Sequence, residues 1–361
     1  MGIFNSMQEA KNKEVLKFSF SVPVLNSEKY LERCLKSIRE QEYPQDQVEI
    51  FVVDAGSQDR TLDIARKYTD KIYPNPLIIG EYGMKVAVGH ATGDLLVMFA
   101  ADNELPRKDW LKELNFFFRA MPHVSAFWGG AKASFDDPPM NHYYELIQSE
   151  PLAYFLNQNL KGYLKQSSGR ACFNGNEYSI FKVDPEKPLC WGANGLVYRL
   201  SQVRDIFLQE GYIGDNEVFQ EMVRKGFSTV AYSAQIPTYH HTVSSLKHWI
   251  SKWKRNYSKI FLPTRKERKI DWFYAGNFRL KMLLWLLYSL NPLLTVPHSL
   301  YLAWAQKNKL WLYHPIACFC QTVVYLYYSF VLREGRKVMI ESLLGQNYRS
   351  LTAIKEGVSD C

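Results

Sequence analysis

Two stretches near the C-terminus constrain this chain more than anything else in it. From Met282 to Ala305 the sequence reads MLLWLLYSLNPLLTVPHSLYLAWA, and from Leu310 to Leu332 it again holds no Asp, Glu, Lys or Arg. Each stretch has about 23 residues, enough for a helix to cross a hydrocarbon core of about 30 Å. Buried helices of water-soluble domains rarely stay uncharged for so long, so the pattern predicts membrane association. Pro292 and Pro297 break or kink the first stretch. A spanning hairpin and a re-entrant or interfacial pair are therefore both open. Tyr and Trp near the segment ends suit the interfacial belt. Basic residues from Arg265 to Lys281 precede the first segment, and Arg333, Arg336 and Lys337 follow the second. Those flanks favour cytosolic termini, with Lys307 and Lys309 in the link a mild counter-signal.

The remainder is a different material. With 47% hydrophobic and 22% charged residues in 361, the composition is globular and the length fits two units. A net charge of +8 suits a nucleic acid, an anionic membrane or a phosphorylated small molecule, and decides nothing alone. Six cysteines without a CxxC pair exclude a disulfide scaffold and structural zinc. The first twenty residues are too polar for a signal peptide, so the N-terminus is expected in the cytosol.

Phe18 to Leu25 (FSFSVPVL) is a β-rich run, followed by a helical pattern through Leu31, Cys34, Leu35 and Ile38. Val48 to Val53 and Leu95 to Phe99 are short continuous apolar runs, the mark of strands buried on both faces, and Thr61 to Tyr68 reads as a helix. Such alternation predicts right-handed crossovers and a parallel sheet, with ligands at the carboxyl ends of the strands. Polar residues follow each strand there: Pro23 and Asn26, then Asp54, Gly56, Ser57 and Asp59, then Asp102, Asn103 and Glu104. A lone acidic residue at a strand end is more often a helix cap, and Ser57 or Asp59 could cap the helix near Thr61. Three such ends on one edge point instead to phosphate chemistry. Carboxylates face phosphates only with a divalent cation between them.

The segments PVLNSEKYLERCLKSI, VVDAGSQDRT, GDLLVMFAADNELPRKDWL, WGANGLVYR and GDNEVFQEMVRKG, in that order, resemble the GT-A domain of family 2 inverting glycosyltransferases. The resemblance implies an α/β fold with a mainly parallel central sheet, a UDP- or GDP-sugar donor, and Mg²⁺ or Mn²⁺. It places a catalytic domain at 17–260, after an N-terminal extension at 1–16. A basic juxtamembrane segment (261–280), the hydrophobic segments (281–333) and a tail (334–361) follow. Asp54 matches the position that recognises the nucleobase edge, with Pro23, Asn26 and Ser57 around it. Lys85 falls where the family often places a phosphate-pairing Lys or Arg, and equally reads as a solvated helix residue. Asp102 matches the second Asp of the DxD metal motif, whose first Asp is Ala100 here; compensation by Asn103 and Glu104 and a more weakly held metal are both open. His240 or His241 lies where related enzymes supply a late His to metal or diphosphate, and a buried structural histidine is as good a reading of either.

Asp215 matches the catalytic base, with Gly214 replacing the preceding Glu. A helix N-cap is the plainer reading of Asp215, and Glu217 is the alternative base. Gly192, Ala193, Asn194 and Gly195 would let the backbone approach the donor sugar. Lys252 and Arg255, interleaved with Trp249 and Trp253, read as an interfacial helix or a diphosphate clamp. Neither an RNA module nor a DNA-reading helix accompanies them, so no nucleic acid is expected. The combined expectation is a metal-dependent inverting glycosyltransferase with its catalytic domain in the cytoplasm. It would be held at the membrane and act on a lipid-linked glycan acceptor. Two alternatives stay open. One is a polyprenyl-phosphate glycosyltransferase, and the other a catalytically silent nucleotide-sugar-binding membrane protein, made credible by Ala100 and Gly214.

Overall fold

The computed structural model describes residues 15–148, 150–156, 164, 169–185, 194–268 and 278–344. Gly192, Ala193, residues 1–14 of the N-terminal extension and 345–361 of the tail lie outside the described residues. Strands β1 (Phe18–Val24), β2 (Val48–Asp54), β3 (Ile72–Pro74) and β4 (Leu95–Met98) are joined by helices α1 (Glu28–Arg39), α2 (Thr61–Ala65) and α3 (Gly80–His90). Next come β5 (Asn103–Glu104), α4 (Trp110–Ala120), β6 (Ala126–Trp128), β7 (Ala131–Lys132), α5 (Pro139–Ile147) and α6 (Pro151–Phe155). The chain then forms β8 (Gly169–Phe173), β9 (Asn176–Lys182), β10 (Leu196–Arg199), α7 (Leu200–Phe207) and α8 (Asp215–Arg224). Finally β11 (Thr229–Tyr232), β12 (Thr238–His240) and α9 (Leu246–Arg255) precede α10 (Phe278–Ser289), α11 (Pro292–Ala305), α12 (His314–Val331) and α13 (Arg333–Leu344).

The main sheet runs β3-β2-β1-β4-β10-β6-β11-β9-β8. Its first four strands are parallel, as the apolar runs predict. The expected mainly parallel sheet is nevertheless mixed, because β10 is antiparallel to both β4 and β6, and β9 to β11 and β8. Strand β10 is entered from the far end, with Leu196 opposite Met98, so no right-handed crossover applies to it. Side chains alternate across the sheet. Phe20, Val22, Ile50 and Val52 pack in one layer with Leu35, Trp110 and Phe117. Phe51, Val53, Leu96 and Met98 pack in the other with Val88, Phe207 and Phe219. Helix α1 buries Leu31, Cys34, Leu35 and Ile38, the stripe expected from their spacing.

A second sheet, β5-β12-β7, is small but decides where the polar residues sit. In it His240 pairs with Asn103 and Tyr239 with Glu104, which brings the loop after β4 against a strand far along the chain.

The first C-terminal stretch is broken at Pro292, as its sequence suggested, while Pro297 lies inside a helix and the second stretch is continued by a sharply bent helix. Among the described residues no single helix is long and apolar enough to cross a membrane. Leu280–Ser289 with Pro292–Ala305, and Lys309–Val331 with Arg333–Glu341, qualify only as pairs, bent by 83° and 101°. The first break falls just before Pro292, which takes the first turn of α11, where its missing N–H costs nothing, while Pro297 is accommodated inside that helix.

One buried carboxylate ties the parallel half together. Glu49 on β2 is 4% exposed and accepts from the Ser19 hydroxyl (2.6 Å), the Thr92 amide (2.6 Å) and Lys71 (2.8 Å), with Lys17 at 3.1 Å. Burial pushes its carboxyl up, but Lys71, Ser19, Thr92 and Lys17 outweigh that and hold it at about 2. The folded value is thus depressed. Its stabilisation is complete above the ordinary carboxylate range and is lost as pH falls through that range towards 2. Glu49→Gln is expected to lower unfolding free energy by on the order of 2 kcal/mol near neutral pH. In urea titrations the gap to wild type should narrow as pH is lowered through the carboxylate range.

Candidate active site

The site is built along the carboxyl edge of the parallel strands. At its first end, the register that sets Val24 beside Asp54 brings the loops after β1 and β2 together. Asp54 accepts from the Gly56 amide (3.0 Å) and the Ser57 hydroxyl (2.6 Å), closing a tight turn. Asn26 adopts a left-handed backbone (φ 47°), donates its amide to Ser57 Oγ (2.8 Å) and accepts from the Gln58 amide (2.8 Å). Arg60, not Ser57 or Asp59, is the N-cap of α2; Asp59, one residue earlier, accepts from the amides of Thr61 (3.0 Å) and Glu28 (3.1 Å) and so ties the starts of α2 and α1 together. Pro23 packs where a Cβ at Gly83 would come within 2.8 Å, so a glycine is needed for α3 to approach β1 this closely.

Beside Asp54 lies a depression of about 490 Å³ lined by Gly56, Leu62, Tyr73, Asn75 and Ile78. Asn75 escaped the sequence reading. It is 3% exposed, donates to the Ile79 carbonyl (2.9 Å), and leaves its own side-chain oxygen without a partner. A buried acceptor of that kind costs about 1–3 kcal/mol unless something fills it, and an N–H on a ligand edge would. Its position directly after β3 follows the strand-end rule; only the shortness of β3 hid it.

At the second end, β5 and β12 gather the charged residues. The Asp102 carboxylate lies 3.5 Å from His240 Nε2, and His240 Nδ1 lies 3.4 Å from the Asn194 amide nitrogen. Lys252 reaches the same place from α9, donating to Thr242 Oγ1 (2.6 Å) and lying over the Tyr144 ring (4.7 Å). Burial pushes Asp102 up, but His240 and then Lys252 hold its carboxyl well below the usual range. Burial likewise lowers Lys252 to about 8, against the opposing pull of Asp102. Arg255, next on α9, is exposed.

Neighbouring residues on a strand point to opposite faces, and this separates the two histidines. His241 turns away from Asp102 and bridges Glu104 (3.0 Å) and Asp137 (2.8 Å), with Arg33 on Glu104 (2.8 Å) and Tyr30 stacked on the ring. Of the four residues expected at a metal, the structure therefore pairs Asp102 with His240. It commits Glu104 and His241 to a separate clasp. Lys85 is also placed elsewhere, since its ammonium donates to the Gln209 carbonyl rather than facing Asp54 or Asp102. Gly195 has a local reason for being glycine: φ is +73° and a Cβ there would strike the Thr238 side chain.

Asp102 and His240 fit a divalent cation as one oxygen and one nitrogen donor. Adjacent ligands each about 2.1 Å from an octahedral ion sit roughly 3 Å apart, near the separation seen. Among the described residues no group of three or more His, Cys, Asp or Glu able to hold a metal is formed. Phosphate oxygens and water would have to complete the shell.

Asp215 begins α8, whose N-cap is Gly214 without a side-chain cap, so the plain capping role is not what the carboxylate performs. Its Oδ1 accepts from the Asn216 amide (2.7 Å). Burial and then the carboxylates of Glu81 and Glu217 raise it to about 7. Glu217 is held by Arg268 (3.0 Å), and Tyr212 donates to Glu81 (3.2 Å) while receiving from Arg268 (3.2 Å). Asp215 is thus the less tethered of the two candidate bases.

The α/β sheet is covered on both faces and carries these polar residues at one carboxyl edge, the place where ligands sit in such sheets. Residues 19–181 match the family described as Glycosyl transferase family 2, and the chain carries a domain of that family. A Methanococcus voltae relative, dolichyl N-acetyl-alpha-D-glucosaminyl phosphate 3-beta-D-2,3-diacetamido-2,3-dideoxy-beta-D-glucuronosyltransferase, is 33% identical over 101 residues, 26% of this chain and 31% of the relative. Staphylococcus aureus poly(ribitol-phosphate) beta-N-acetylglucosaminyltransferase TarS is 35% identical over 109 residues, 28% of this chain and 19% of that protein. The chain thus spans less than a third of the length of these curated relatives. A solved mannosyltransferase from Pyrobaculum calidifontis, in complex with GDP-Man and Mn²⁺, aligns with a TM-score of 0.45 at 14% identity, covering 98% of this chain and 93% of that one.

The two histidines should separate by experiment. His241→Ala leaves Glu104 and Asp137 facing each other and is expected to cost about 2–3 kcal/mol in thermal or urea unfolding. His240→Ala should cost clearly less stability, its deficit appearing instead in Mn²⁺-supported donor binding.

Proposed function

We propose that the chain is an inverting glycosyltransferase. It moves a sugar from a UDP- or GDP-linked donor to a hydroxyl of a lipid-linked glycan at the cytosolic face of a membrane. The observation that carries this is the contrast between two aspartates at one sheet edge. Asp102 is held ionised beside His240 and Lys252, suited to a diphosphate and its counter-ion. Asp215 is held near 7, suited to taking a proton at physiological pH.

The nucleobase lies in the depression beside Asp54 and Asn75, with Pro23, Asn26 and Ser57 shaping its wall. A divalent cation held by Asp102 and His240 would supply Lewis-acid stabilisation of the departing diphosphate. Lys252 adds positive charge on the same side, which acts on the diphosphate directly rather than through the metal. Asn194 orients His240 from the other ring nitrogen. Asp215 accepts the acceptor's hydroxyl proton as that oxygen attacks the anomeric carbon from the face opposite the leaving group, which inverts its configuration. The lipid-linked acceptor is supported by the dolichyl-linked substrate in the Methanococcus voltae relative's name. The uncharged C-terminal segments and their basic flanks support the membrane location and its cytosolic side.

Asp215→Asn should bind donor normally and lose about 10²–10⁴ in turnover on a hydroxyl acceptor. A lipid-phosphate acceptor is already ionised and needs no base, so near-wild-type turnover on such an acceptor would replace the hydroxyl reading by the phosphate one. In the wild type, kcat/KM should climb with pH and level off above about 7, the value of the free Asp215 carboxyl. Because that carboxyl is raised in the folded state, it costs stability above its ordinary range, and increasingly so towards 7. Asp215→Asn is therefore expected to be at least as heat-stable as wild type in mildly alkaline buffer, so lost turnover cannot be ascribed to unfolding.

A further inference from the structure

Helices α10, α11 and α12 carry their polarity the wrong way round for a domain facing water. Their buried positions include Ser289, Thr295, Ser299, His314, Gln321 and Thr322, alongside Trp285, Leu302 and Val324. Their exposed positions include Leu287, Leu293, Leu300, Trp304, Phe319 and Phe330. Water-facing helices sort these types the other way. The polar side chains inside are satisfied by one another, by main-chain carbonyls of the same region (Thr295 by Asn291, Ser299 by Trp311) or by the glycosyltransferase-family part. Thr322 donates to Ser289 (2.8 Å), Gln321 donates to Glu150 (2.6 Å), and the Tyr143 hydroxyl meets His314 Nδ1 (2.8 Å). Most of the exposed large apolar side chains among the described residues lie on these helices and the link between α11 and α12.

The shape of this face limits how it can meet lipid. Helix α10, with 12 residues, spans only about 18 Å at 1.5 Å per residue, short of a hydrocarbon core of about 30 Å. Helix α12 is longer, but Tyr325 on it stacks on Tyr257 and meets Trp253, so one side is covered by α9 and the segment after it. A helix glued to a folded domain along one side cannot be ringed by lipid. At the ends of the helices stand exposed Lys281, Lys307, Lys309, Arg333, Arg336 and Lys337, with Glu334 the sole acidic residue in 281–337. That rim matches anionic headgroups, which attract basic groups at the edge of an inserted apolar surface.

We infer that α10, α11 and α12 seat in one leaflet of an anionic phospholipid bilayer without crossing it. The inference rests on the membrane location proposed above, narrows it to one side, and is independent of the sugar-transfer chemistry. The acceptor's lipid anchor and the seated face would then share a leaflet, with no need for a link exposed on the far side.

The test uses the full chain and preformed vesicles of phosphatidylcholine, with or without phosphatidylglycerol. Flotation is expected with the anionic vesicles and at least tenfold weaker partition with the neutral ones. The double variant Leu293→Glu with Trp304→Glu, both side chains being exposed, should lose anionic-vesicle binding at least tenfold while keeping wild-type melting and donor binding in detergent. A specific protease site inserted after Lys307 should be cut on intact vesicles by protease added outside, as should a control site at the N-terminus. Cleavage after Lys307 only once detergent is added would overturn the inference in favour of a spanning hairpin. Failure to float with either vesicle, together with a stable dimer in sedimentation, would overturn it in favour of a second copy covering this face. Donor binding in detergent is indifferent to all these outcomes, so a failure here and a failure of the transferase reading are told apart.

Discussion

The two-residue ladder between β5 and β12 is the contact on which the rest of the site depends. His240 pairs with Asn103 and Tyr239 with Glu104, and the His241 amide donates to the Asp102 carbonyl at 2.9 Å. These bonds join the loop after β4 to a segment far along the chain. A pairing so short is weak by itself. It is reinforced on one side by the Arg33–Glu104–His241–Asp137 clasp and within the loop by Asn103, whose side chain accepts from the Ala100 amide at 3.1 Å. The clasp thereby holds the main chain from which Asp102 and His240 face the other way.

Charge is then distributed with opposite effect at two points on one edge. A carboxylate beside His240 and Lys252 is stabilised as an anion, whereas one beside Glu81 and Glu217 is not. Moving two like groups apart in proton affinity gives them different tasks.

Much of this was legible in the residues and some was not. Strands β1, β2 and β4 announced themselves because burial on both faces leaves continuous apolar runs, and Asp54 and Asp102 follow directly from their ends. The direction of β10 was hidden, since antiparallel insertion next to β4 depends on where a distant segment enters the sheet. Choosing between His240 and His241 needed the phase of β12, which two adjacent histidines cannot reveal. Lys85 stayed between two readings for a related reason: the helix was foreseen, but not that its side chain meets the Gln209 carbonyl. In the C-terminal region, composition showed the apolar character and Pro292 the break, whereas the inverted polarity of the helices required knowing which side rests on the glycosyltransferase-family part.

The central claim is that this edge holds a nucleotide sugar through a metal shared by Asp102 and His240, and calorimetric titration of the detergent-solubilised full chain tests it most directly. With Mn²⁺ present, a UDP- or GDP-sugar should bind, and chelation of the metal or Asp102→Ala should weaken that binding at least tenfold. Donor binding unchanged by both chelation and Asp102→Ala, or no binding of any nucleoside-diphosphate sugar with metal present, would contradict it.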